Sequence, residues 1–167
     1  MVKANETFVY CSKGISTANF KVDCIDDYLK KKKETFDIKR LIIFLDNGPE
    51  NSSRRTLWIK CLIDLLKKYN ISIKLVYYPP YSSKYNPIER YWARLQLSWS
   101  GLIINTVDKL IKMINKVKWN GVYTQATLVN KEYKKGISID KEEIIILERK
   151  RVYRENVIEK WSLVITS

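Results

Sequence analysis

The sequence predicts an α/β protein, and three observations carry that prediction. Apolar runs of strand length, Thr7–Cys11, Leu41–Leu45 and Ile71–Tyr78, alternate with longer amphipathic stretches. Turn residues punctuate the junctions: Gly14, Asp46-Asn47-Gly48-Pro49 and Pro79-Pro80. Strand, helix, strand, helix in succession is the α/β signature.

Each element has its own reason. Thr7–Cys11 reads as a short strand, and Ser12–Ser16 as a turn. Thr17 to about Lys33 reads as a helix, with Thr17 as N-cap and Phe20, Cys24, Ile25, Tyr28 and Leu29 at helical spacing. Lys30–Lys33 is its exposed end, where cations suit the helix dipole. Asp23, Asp26 and Asp27 read as surface charges along its faces. Leu41–Leu45 is continuously apolar and predicts a central strand buried on both faces. A helix from about Ser52 to Tyr69 follows, with the stripe Leu57, Trp58, Cys61, Leu62, Leu65, Leu66 and Tyr69, and Asn70 closing it.

Ile71–Tyr78 is the next strand, ended by Pro79-Pro80 because proline cannot donate to a ladder. Asn86-Pro87-Ile88-Glu89 opens another helix: Asn86 as N-cap, Pro87 at the first helical position, Glu89 at the third. Ile88, Tyr91, Trp92 and Leu95 continue it. Beyond Ser98-Trp99-Ser100-Gly101 lies an amphipathic helix, about Thr106 to Val117. Ile137–Ile139 and Leu163–Ile165 read as short strands, and Asp140 with Glu143 as a capping box ahead of Ile144–Leu147. Tyr91, Trp92, Trp99 and Trp119 read as core rather than base-stacking platforms.

The chain has 167 residues, 46% of them apolar, enough for one packed domain without an internal repeat or a linker-like boundary. No run approaches the ~18 apolar residues of a membrane span, and Met1–Glu6 lacks the apolar core of a signal peptide. The expected location is the cytoplasm, on the nucleoid if the host is bacterial. The net charge of +13 suggests a polyanionic partner, with a solvated, lysine-rich surface as the alternative. Histidine is absent, which excludes histidine triads, bases and metal ligands. Cys11, Cys24 and Cys61 are far apart and form no zinc or disulfide pattern; Cys24 and Cys61 sit among apolar neighbours and read as core. Any catalysis therefore runs on carboxylates, lysines, hydroxyls or a bound metal.

Two acids stand out by position. Asp46 ends a strand at the sheet edge where α/β sites form. Glu89 begins the helix that follows the next strand. Singly, Asp46 reads as a turn residue and Glu89 as the third residue of a capping box. Together, with the intervening proline- and tyrosine-rich string, they read as oxygen ligands suited to Mg²⁺ or Mn²⁺. Lys84, Arg90 and Arg94 near Glu89, and Arg54 and Arg55 near Asp46, read either as phosphate contacts or as solvated charges. Arg54 and Arg55 are placed in the first turn of their helix, where cations oppose the dipole.

Two of these strings resemble a known family. Tyr78-Pro79-Pro80-Tyr81-Ser82-Ser83-Lys84-Tyr85-Asn86-Pro87-Ile88-Glu89 resembles the third-carboxylate motif of DDE transposases in the mariner-related branch. Leu45-Asp46-Asn47-Gly48-Pro49-Glu50-Asn51-Ser52 resembles their second-aspartate motif. Within the branch the chain is most similar to the Rhodopirellula-type transposases of insertion sequences: Arg54, Arg55, Leu57 and Trp58 after the aspartate, Ser16–Phe20 upstream, Leu97–Gly101 downstream and Tyr133–Leu147 near the end all fit. The resemblance implies an RNase H-like, integrase-like core. It implies Mg²⁺-dependent (or Mn²⁺-dependent) DNA strand cleavage and transfer, the recombination chemistry of mobile elements, with two ions at the complete site. It implies catalytic, metal-binding roles for Asp46 and Glu89 as second and third members of the triad, and DNA (transposon ends and target) as partner, with no membrane and no small-molecule cofactor.

The pattern also departs from the family. The family's first aspartate lies on the first core strand, well upstream of the Thr17–Phe20 segment. Only Met1–Ser16 precede that segment here, with Glu6 as their one acid. The expectation is therefore a single partial catalytic domain over residues 1–167, with a core over about 1–100 and an extension over about 101–167. Its first strands would be missing, its sheet edges unpaired, and its activity alone weak or nil. An upstream transposase half or a homo-oligomer would restore the site. The alternative is a non-enzymatic basic DNA-binding remnant, or an inert pseudogene product.

Overall fold

The computed structural model describes residues 6–166; Met1–Asn5, most of the stretch read above for a signal peptide, lie outside them. The chain forms two compact units, each assembled from segments distant in sequence: Lys84–Glu132 with the segment ending at Gly14, and Ile15–Ser83 with Tyr133–Ser167. Because the chain passes between the units inside ordinary turn and loop sequence, no linker composition marks the junctions.

In the larger unit, helix α1 (Ala18–Lys33), strand β2 (Arg40–Leu45), helix α2 (Thr56–Tyr69) and strand β3 (Ser72–Tyr77) follow in order. Helix α5 (Lys141–Arg151) and strands β7 (Val152–Arg154) and β8 (Ser162–Ile165) return to the same sheet. The strand order is β2-β3-β8-β7, with β2 and β3 parallel and the last two antiparallel. The chain after Leu147 thus packs on the core: Leu163 and Ile165 are buried beside Ile73 and Leu75.

The local signals act as their chemistry predicts. Thr17 Oγ1 accepts from the Phe20 N–H at 3.2 Å. Asn70 closes α2 in the left-handed conformation at φ 52°. Asp140 caps α5 through the Glu142 and Glu143 N–H groups. The buried stripe of α2 and the alternate residues Ile73, Leu75 and Tyr77 of β3 form one apolar core.

Three expectations in this unit are corrected. Strand β2 is an edge strand, not a central one buried on both faces: Ile42 and Phe44 are 51% and 54% exposed. Leu41, Ile43 and Leu45 pack on the helical core, while the opposite face is apolar yet uncovered. A continuous apolar run shows that both faces are apolar, not that both are covered. Second, α2 starts at Thr56, so Arg54 and Arg55 precede it. Two successive turns, Asn51 N–H to Gly48 O and Arg55 N–H to Ser52 O, use the residues before it. Third, Ile137–Ile139 is irregular backbone, because no strand among the described residues pairs with it.

The acids of α1 are also more engaged than surface charges. Asp23 accepts from the Tyr133 hydroxyl at 2.9 Å, and Asp27 pairs with Lys31 at 2.6 Å. Asp26 is paired with Lys30 at 2.8 Å and accepts from Lys68 and Tyr69 at 2.6 and 2.8 Å. Burial opposes its charged form, but these three partners more than offset that and hold the carboxyl at about 2, below its ordinary 3.8. A depressed carboxyl stabilises the fold above its unfolded pKa, and that contribution fades as pH falls from about 4 through about 2. The lysine partners are half exposed, so screening cuts the effect to about 1–2 kcal/mol. Asp26→Asn should therefore lower unfolding stability by that amount at pH 7 and by almost nothing near pH 2; equal losses at both pH values in urea titrations would contradict the network.

In the smaller unit, β1 (Phe8–Ser12) pairs in parallel with β6 (Gln125–Val129). Helices α3 (Pro87–Trp99) and α4 (Val107–Asn115) build a second core from Tyr91, Leu95 and Ile114 with Val9 and Val117. The hairpin of β4 (Lys118–Trp119) and β5 (Val122–Tyr123) turns on Asn120-Gly121, both at positive φ, as a tight two-residue turn requires. Tyr91 is buried and donates to Thr124 Oγ1 at 3.1 Å. Trp99 and Trp119 are half-buried against this core, whereas Trp92, read above as core, is exposed. It lies one position from Tyr91 on α3, too far round the helix to share its buried face.

The cysteines are all half-buried free thiols. Cys61 packs on the larger core. Burial, reinforced by Asp23 and Asp27, pushes the Cys24 thiol up to about 12, so it stays protonated and unreactive. No helix among the described residues is long and apolar enough to cross a membrane.

Candidate functional site

Asp46 leaves the C-terminal end of β2, where the Leu45 carbonyl still accepts from the Tyr78 N–H at 2.9 Å. The ladder ends there and the side chain is exposed. The turn Gly48-Pro49-Glu50-Asn51 then brings the Asn51 amide back beneath it. Asn51 Nδ2 donates to Asp46 Oδ1 at 3.1 Å and to the Asp46 carbonyl at 3.2 Å. The Asn51 amide oxygen accepts from Lys21 Nζ at 2.9 Å. Asn51 itself is 2% exposed, so a buried amide joins α1 to the loop that carries Asp46.

Glu89 occupies the first turn of α3. Asn86 Oδ1 accepts from the Ile88 N–H at 3.3 Å, so the cap forms as expected. Only half of the predicted capping box exists: the exposed Glu89 carboxylate makes no hydrogen bond or ion pair among the described residues. That leaves it available to a ligand.

The basic candidates fall in the same units as these acids. Lys84 lies over the Tyr85 ring at 5.0 Å, and Arg90 is an exposed residue of the first turn of α3. Arg54 is exposed and lines a cleft of about 360 Å³ with Thr56, Glu148, Arg154 and Lys160. Arg55 is half-buried, pairs with Glu50 at 3.7 Å, and has a buried Nε without a partner among the described residues. So the larger unit holds Asp46, Arg54 and Arg55, and the smaller holds Glu89, Lys84 and Arg90. Among the described residues no group of three or more histidine, cysteine or acidic side chains is gathered to hold a metal.

Sequence reasoning missed Lys21, Gly48 and Asn51 as supports of Asp46. The turn composition Gly-Pro-Glu-Asn was a signal that the chain doubles back. Nothing in the sequence linked it to Lys21, thirty residues earlier.

An exposed acid thus stands at the end of a parallel strand, and a second in the first turn of a helix opened by Asn-Pro. The family model of the Rhodopirellula transposase DDE domain matches residues 1–167, and the chain belongs to that family. Comparison with curated proteins and with solved structures found no match.

Proposed function

We propose that the chain is the part of an RNase H-like transposase catalytic domain that bears the second and third carboxylates, Asp46 and Glu89, and takes part in DNA strand cleavage and transfer. The observation that supports this most directly is the state of Asp46: a strand-end carboxylate whose Oδ1 is held by a buried amide.

The donor set suits Mg²⁺ or Mn²⁺. Carboxylate oxygens are the hard ligands these ions prefer, and among the described residues neither Asp46 nor Glu89 is tied up in an ion pair. When bound, such ions activate water or a 3′-hydroxyl and stabilise the leaving oxygen of an in-line displacement. This chain's own residues would hold and orient. Asp46 and Glu89 would be ligands, and Lys84, Arg90 and Arg54 would contact DNA phosphates. Arg55 could join them by giving up Glu50.

The first carboxylate is proposed to come from polypeptide other than the residues described, whether an upstream half or another copy. The acids of α1 are otherwise engaged: Asp23, Asp26 and Asp27 serve Tyr133, Lys68, Lys30 and Lys31. The isolated chain should then bind divalent metal weakly and cleave DNA poorly.

The test is calorimetric titration of the purified chain with Mn²⁺. Binding that Asp46→Ala and Glu89→Ala each abolish is the expected result. Binding unchanged in both variants would remove the metal role. In that case, salt-sensitive DNA binding would favour the non-enzymatic DNA-binding reading, because phosphate contacts weaken steeply with salt.

A further inference from the structure

Asp46 is held by a clamp whose parts come from three places in the larger unit. Lysine can only donate, so the Asn51 oxygen must face Lys21 Nζ, 2.9 Å away. A carboxylate and a main-chain carbonyl can only accept, so the Asn51 amino group must face Asp46, and it donates to both, at 3.1 and 3.2 Å. The amide is therefore fixed in one orientation from both ends, without the twofold ambiguity of an exposed asparagine. The amide itself is buried, so it is shielded from water on its own side of these part-buried hydrogen bonds.

Gly48 is the third part. A Cβ there would lie 2.9 Å from the Asn51 amide oxygen and 3.5 Å from Asp46 Oδ2. Any side chain at this position would push the amide off its partners. Its glycine is explained by that close approach, since only a residue without a Cβ leaves the amide its place.

We infer that Asn51 is a positioning residue for Asp46, fixed by Lys21 and admitted by Gly48, which sets the carboxylate rotamer and leaves Oδ2 free to bind a divalent cation. The inference rests on the reading of Asp46 as a ligand. The hydrogen bonds to acidic ligands that fix their orientation are typically worth about 10–100-fold in metal affinity. Asn51 does not touch the ion; it removes the other rotamers of Asp46 before the ion arrives.

Two measurements test this. Mn²⁺ titration followed by EPR should show Asn51→Ala binding about tenfold more weakly than wild type or worse, and Gly48→Ala weakened in the same direction. Binding by Asn51→Ala within twofold of wild type overturns the inference. The second measurement needs no metal: the two side-chain amide protons of Asn51 are followed by NMR. Asp46→Ala removes the carboxylate but keeps the main-chain carbonyl, so one of the two protons should shift and exchange faster while the other stays. Lys21→Met should let the amide turn and disturb both.

Wild-type Mn²⁺ binding that ignores Asp46→Ala would defeat the ligand reading alone, and the amide spectra would then decide whether the clamp exists. Spectra unmoved by both substitutions overturn the clamp. The same spectra serve if Asn51→Ala fails to fold.

Discussion

Asp46→Ala, made in a transposase assembled with all three carboxylates, should lower single-turnover strand cleavage by more than about a hundredfold. A catalytic metal contributes several kcal/mol of transition-state stabilisation, and each ~1.4 kcal/mol is a factor of ten. Removing a ligand forfeits most of that. The fold should scarcely notice. Asp46 is exposed and belongs to neither apolar core. Asn51 would keep its bond to the main-chain carbonyl of residue 46, so the turn survives. Cleavage should therefore collapse while the melting temperature stays within a few degrees of wild type. Cleavage within about tenfold of wild type, with the protein folded, would show that Asp46 is a turn residue and nothing more.

The same residue shows what the sequence made legible. Its place at the end of an apolar run, the Thr17 and Asn86 caps, the Asn70 terminus and the final strand were all readable. Each depends on a local rule: periodicity, a capping side chain, a residue that tolerates positive φ. What was not legible depends on partners remote in sequence. Leu41–Leu45 looked central because both its faces are apolar, yet whether Ile42 and Phe44 are covered is decided by chain elsewhere. The engagement of Asp26 required Lys68 and Tyr69, the last two residues of another helix. The Lys21–Asn51–Asp46 clamp joins a helix face to a loop thirty residues away, and no periodicity encodes it. One local signal was passed over: Asn120-Gly121, the strongest short-range hairpin dipeptide, between two residue pairs that do form strands.

Trp58→Ala should produce the largest loss of stability. Trp58 is 1% exposed and is the largest side chain of the core between α2 and the sheet. Its indole N–H donates to the Tyr77 hydroxyl at 3.3 Å. Tyr77 is itself buried, and that burial pushes its phenol up to about 12, so the hydroxyl stays neutral and needs its partner. Alanine would leave a cavity and strand the hydroxyl. Truncating a buried tryptophan costs about 3–5 kcal/mol, against a typical total stability of about 5–15 kcal/mol. Trp58→Phe separates the two effects, since it fills most of the space but offers no donor. It should cost about 1–3 kcal/mol, the penalty for one buried polar group left unpaired. Urea unfolding followed by circular dichroism should rank wild type above phenylalanine above alanine. Phenylalanine equal to wild type would mean the tyrosine hydroxyl finds another partner. Phenylalanine as damaging as alanine would mean the hydrogen bond, not the packed volume, joins α2 to the end of β3.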